Sequence, residues 1–230
     1  MKKKLVLGSA LVLLVALMAW GTWAYFTTSA HVTNVITTGT IQITLNDRIN
    51  DSRATQTANG WQLTGVMPGV AVEKTVSVTN DNAETAGDAW IRVKVDTAIT
   101  SAPNDDGQTH TLGSTFAHGQ ETLDAVEIGF DTTGADARWI PQTVTEQDEN
   151  GQDRPVTYYY YKTPLTRGEE TSDLFSTVTL NRFLPNEYQG CTVNIAVSAQ
   201  AVQVKNNNNN GALTALTAAT LDQVSGWPAD

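Results

Sequence analysis

An all-β fold, an antiparallel β-sandwich or jelly roll, is the class this sequence predicts, and three observations predict it. Short runs of apolar residues recur with a period of two, the spacing that puts alternate side chains on one face of a strand. Clusters of Gly, Pro, Asn and Asp punctuate those runs. Two longer stretches, 97–120 and 131–154, are rich in Gly, Asp, Asn and Thr and read as irregular loop insertions between strands. No segment repeats at a fixed period, and no domain boundary interrupts the body.

The runs follow in chain order. Ile41, Ile43 and Leu45 alternate with Thr40, Gln42 and Thr44. After Pro68-Gly69, a type II turn signal, Val70, Val72, Val76 and Val78 keep one phase, with Lys74 as the exception. Asn80-Asp81-Asn82 is a break. Ile91, Val93 and Val95 follow, then Val126, Ile128 and Phe130. Val156 to Lys162, with four consecutive tyrosines, and Leu174 to Leu180 are less regular. Tyr158 and Tyr160 should face one way and Tyr159 and Tyr161 the other. Val193, Ile195, Val197, Ala199 and Ala201 form the longest row. The phase then shifts to Val202 and Val204, which predicts a bulge. Beyond the Asn206 to Asn210 tract, a polar hinge, Leu213, Leu216, Ala219 and Val224 roughly keep helical spacing and predict a short C-terminal helix.

The amino terminus reads as an address. Lys2-Lys3-Lys4 precede an apolar run from Leu5 to Ala19, and small residues at Thr22 and Ala24 suit a signal peptidase cutting between Ala24 and Tyr25. Residues 1–24 are thus expected to be a signal peptide and 25–230 a single sandwich domain. The 22 uncharged residues from Leu5 to Phe26 would also span a bilayer as a retained anchor. No basic stop-transfer cluster follows them, and either reading places the body outside the membrane.

The chain carries a formal charge of −10; without the three leading lysines, 11 basic and 24 acidic residues leave −13. So acidic a body offers no footprint for phosphate backbones, and nucleic acid is not an expected partner. Cys191 is the only cysteine; it opens an apolar alternating run and reads as a small buried hydrophobe. His31, His110 and His118 lack the i, i+4 spacing of a zinc-protease helix. No nucleophile elbow, phosphate loop or dinucleotide fingerprint occurs. Asp105-Asp106 and Glu169-Glu170 read as loop acidity. No catalytic, cofactor-binding or metal-ligating residue is therefore assigned, no cofactor is expected, and the chain reads as a non-enzyme. Trp61, Trp90, Trp139, the four tyrosines and Trp227 suit core packing or a sugar-stacking face.

Gly21-Thr22-Trp23-Ala24-Tyr25-Phe26, followed by Gly39-Thr40-Ile41-Gln42-Ile43, resembles the start of the TasA/camelysin family. Val66-Met67-Pro68-Gly69, Val76-Ser77-Val78-Thr79-Asn80, Trp90 to Val95, and Asn186 to Gly190 leading into Val193 to Gln203 continue the resemblance. It implies a jelly-roll domain processed by a SipW-type signal peptidase and secreted to the cell surface or biofilm matrix. There it would self-associate into fibres, alone or with accessory matrix subunits. It further implies an N-terminal donor strand. Residues 25–45 form an uncharged segment whose Ile41, Ile43 and Leu45 would fill alternate pockets of the next subunit. Some family members are described as metallopeptidases, and this sequence has no zinc-binding helix to carry that activity. A carbohydrate-binding surface module and a secreted metallopeptidase are the alternative functions.

Overall fold

The structure is a computed structural model. It describes residues 27–29, 41–52, 54–57, 60–63, 66–81, 87–147, 151–205, 207 and 213–228. The strands are β1 (Thr27–Ser29), β2 (Ile43–Ile49), β3 (Ala54–Thr57), β4 (Gly60–Leu63), β5 (Ala71–Asn80), β6 (Ala89–Thr100) and β7 (Thr111–Leu112). They continue with β8 (Thr115–His118), β9 (Glu121–Asp124), β10 (Val126–Phe130), β11 (Trp139–Gln147), β12 (Asp153–Tyr161), β13 (Phe175–Leu180) and β14 (Thr192–Gln203). Two antiparallel sheets dominate, in the orders β10-β13-β5-β2 and β11-β12-β6-β14, with β7 beside the end of β6. β1-β4-β3 and the β8-β9 hairpin are small accessory sheets.

Alternation places the core between the two large sheets. Ile43, Leu45, Val76 and Val78 from one meet Ile91, Val93, Ile195 and Val197 from the other in one buried cluster. The all-β sandwich is the predicted fold. The tyrosines divide as alternation requires: Tyr159 and Tyr161 pack on this cluster, while Tyr158 and Tyr160 join a second cluster on the opposite face.

That second cluster explains the phase change after Ala201. β14 pairs with β6 in unbroken register from Thr192↔Thr100 to Gln203↔Ala89, so there is no bulge. Val202 simply points to the other face, which is also buried. Its cover is the C-terminal segment 213–228, whose Leu216, Leu221 and Val224 lie over Trp90, Ile140, Val156, Tyr158 and Tyr160. The segment is not the expected helix: its only regular turn is a 3-10 turn, Leu221–Gln223. Thr220 Oγ1 accepts from the Thr217 amide at 2.9 Å and donates to the Thr217 carbonyl at 3.2 Å, a side-chain competitor for helical bonding.

The stretch 131–154 is not wholly an insertion, because it contains β11. β11 pairs with β12 along its whole length, from Trp139↔Tyr161 to Gln147↔Asp153. Its sequence hides it because Pro141 interrupts the run and the residues after Ile140 are mostly polar, both tolerated on an edge strand. Asn80, read as part of a break, is instead the fully buried last residue of β5. Its amide nitrogen donates to the carbonyls of Gly87 and Leu165, both at 2.9 Å.

Candidate functional site

The side of the sandwich bounded by β2 and β14 carries the features that bear on function. β2 is the last strand of its sheet and pairs with β5 from Ile43↔Asn80 to Ile49↔Lys74. Across the sandwich lies β14, the last strand of the other sheet, and β1 approaches the same strand. The first described residues of the chain therefore sit on this side.

β2 has two unlike halves. Ile41, just before the strand, together with Ile43 and Leu45 points inward, at 2%, 2% and 8% exposure. These three predicted donor residues are thus buried in the core of their own chain. Ala24 and Tyr25, the predicted cleavage pair, lie outside the described residues, as does His31.

From Asn46 onward the strand is clasped by charge. Asp47 occupies the next inward position after Leu45, and Lys74 is the polar exception in the apolar row of β5. The two exceptions form an ion pair, with side chains 7% and 3% exposed. Burial pushes the Lys74 ammonium below its ordinary range, and Asp47 counteracts this by charge and hydrogen bond.

On the outer face Arg48 Nη1 reaches Glu170 Oε1 at 2.9 Å and Ser77 Oγ at 3.3 Å. Asn46 Nδ2 donates to Glu170 Oε1 at 3.0 Å and to Thr79 Oγ1 at 2.8 Å. Ser77 Oγ donates to the same carboxylate. The Ser77 bond, then the Arg48 bond, hold the Glu170 carboxyl below the usual range. Asn50 closes the clasp, Nδ2 to Glu73 Oε2 at 2.7 Å. In the uncharged half, Thr44 Oγ1 donates to Asp81 Oδ1 at 2.9 Å.

Glu170 can reach β2 because its backbone runs along β5. The Asn80 amide donates to the Glu169 carbonyl at 3.0 Å, and the Thr171 and Leu174 amides donate to Val78 and Val76 at 2.9 and 2.7 Å. Adjacency of Glu169 and Glu170 in sequence carried no hint of this. The usable signal was the pair of charges, Asp47 and Lys74, standing in apolar phases.

The remaining chemistry-bearing residues are engaged separately. The His110 ring contacts Ser101 Oγ at 3.0 Å, whereas the His118 ring stacks on Phe183 at 4.4 Å. Among the described residues no three His, Cys, Asp or Glu side chains converge as a metal site would require. Cys191 is buried in the main core, and burial raises its thiol pKa. The outward tyrosines are covered by the C-terminal segment, Tyr158 at 2% and Tyr160 at 4% exposure. Arg92 sits between Tyr158, 3.9 Å from the ring centre, and Trp227, at 4.7 Å. These aromatics stack on the chain itself.

Fold and site together define a two-sheet β-sandwich with an amino-terminal edge strand clasped in place by charge. The chain belongs to the TasA/camelysin family: the family model described as camelysin metallo-endopeptidase matches residues 1–118, a span that ends with β8. No curated protein and no solved structure matches the chain.

Proposed function

We propose that this chain is an exported structural protein of cell-surface or biofilm-matrix fibres, joined by exchange of its N-terminal segment between subunits. The observation that carries the reading is the uncharged run from Tyr25 to Asn46, which leads into an edge strand of a sandwich. Such a run loses little solvation when it lies along another subunit's sheet edge, and main-chain hydrogen bonds supply the adhesion. A SipW-type peptidase cuts between Ala24 and Tyr25 and frees the segment outside the membrane; accessory matrix subunits join the same fibre. The family's metallo-endopeptidase description is not carried to this chain, because its described histidines do not share a site.

Electron microscopy of residues 25–230 beside the chain that keeps its leader tests the reading. Filaments from the cleaved form alone are expected. Monodisperse particles from both forms would remove it in favour of a surface binding module. Zinc-dependent proteolysis by the cleaved form, lost on His110→Ala or His118→Ala, would restore the peptidase reading.

A further inference from the structure

The geometry points to β14 as the edge that receives the N-terminal segment of a second copy, with residues 25–40 as the part that crosses. The inference rests on the strand-exchange reading above and adds its acceptor and its boundary.

The boundary follows from the clasp. Ile41, Ile43 and Leu45 continue directly into Asn46–Asn50, which ion pairs and hydrogen bonds tie to β5 and Glu170. A strand exchanged at Leu45 would have no linker between the pinned half and the neighbour's sheet. Ile41 to Leu45 therefore stay in their own core as the fixed root of the donor, and the uncharged residues before them are the part that crosses, exchanging the β1 pairing with β4 for a neighbour's edge. Fully extended, those 16 residues reach about 55 Å at ~3.4 Å each. The twelve residues of β14 span about 40 Å. The donor can thus pair along β14 and keep a short linker.

The acceptor follows from comparing the four end strands of the two large sheets. Edge strands are normally protected by charge, proline, bulges or shortness. β2 carries Asp47 and Arg48, and β11 carries Pro141 and Glu146. β10 has five residues, includes Glu127 and breaks register between Ile128 and Phe130. β14 has none of these devices: Thr192–Gln203 contains no charged residue, proline or glycine, and its register with β6 is continuous. Its inward row, Val193, Ile195 and Val197, belongs to the core.

Two placements agree. β1 approaches β14, so the start of the chain is already on that side. β14 also lies across from β2, where the donor is rooted, and a strand added there closes the sandwich on that side. In a lone molecule β1 pairs with β4 and lies beside that edge; in a fibre the neighbour's segment pairs with it.

The test uses full-length, exported chain carrying a benzophenone side chain at Ala196 in β14, or at Thr44, Gln142 or Glu127 on the other three edges. Normal and heavy-isotope copies are mixed before assembly, and cross-linked peptides are read by mass spectrometry. The expected result is a covalent dimer from the Ala196 probe, joined to residues 25–40 of the other isotope in filaments and to the same chain in monomers. Inter-copy links to residues 25–40 from Thr44, Gln142 or Glu127 instead would overturn β14 while leaving strand exchange standing. Filaments with no inter-copy link to residues 25–40 from any probe would sink both. Links from Ala196 to residues 41–45 of the other copy would overturn the boundary.

Discussion

Lys74 and Asp47 are each out of place in their own strands and in place together. With both side chains almost wholly buried, their attraction is set against a large desolvation cost. Removing one partner leaves an uncompensated charge in the core, so Lys74→Met or Asp47→Leu alone should lower unfolding stability by about 3–5 kcal/mol. The double variant should be neutral or gain about 1–4 kcal/mol. Urea unfolding of the two singles and the double checks this; a double variant as weak as the singles would mean that the pair has no mutual role. Glu170 makes a different prediction. Its folded pKa is depressed by Ser77 and Arg48, so its contribution is present above the ordinary carboxylate range and disappears as pH falls through the folded pKa. Denaturation midpoints should drop more between pH 7 and pH 3 in the native chain than in Glu170→Gln.

The C-terminal segment buries part of the outer face of β11-β12-β6-β14. It does so without a helix, through Leu216, Leu221 and Val224, and it is tied by Asn207, whose amide nitrogen donates to the Ser225 carbonyl at 2.7 Å. Leu221→Ala should cost about 2–5 kcal/mol, the range for a buried leucine truncated to alanine. Cutting the chain after Asn210 should uncover Trp90, Tyr158 and Tyr160, and a rise in binding of an apolar dye would report it. Unchanged dye binding would mean that the face is not held shut by this segment. The same face explains an error of reading: the shift to Val202 and Val204 looks like a bulge only while one face of β14 is assumed to be wet.

In the molecule as a whole, β2 and β14 end the two large sheets on one side of the sandwich. Its acidity, −13 without the leading lysines, opposes random association of copies, and salt above ~0.15 M screens that repulsion over less than about 8 Å. Under the proposed strand exchange, a specific strand contact holds copies together against that repulsion. Removing residues 25–40 should abolish filaments while leaving the circular dichroism spectrum β-rich, since the described core residues run from Ile41 onward. Normal filaments from that variant would exclude exchange of this segment.

Local periodicity determined much of this protein. Period two and turn chemistry specify the sandwich, the inward rows of β2, β5, β6 and β14, and the division of the tyrosines, because strand geometry fixes facing from one residue to the next. The family motifs were legible as linear patterns. Tertiary structure alone decided which charges meet, that Glu170 reaches across β5 to β2, that Pro141 sits in an edge strand, and that 213–228 covers a second apolar face. Those outcomes depend on residues far apart in the chain, such as Asn46 and Glu170, 124 positions apart, and local sequence does not encode which distant segments will pack together.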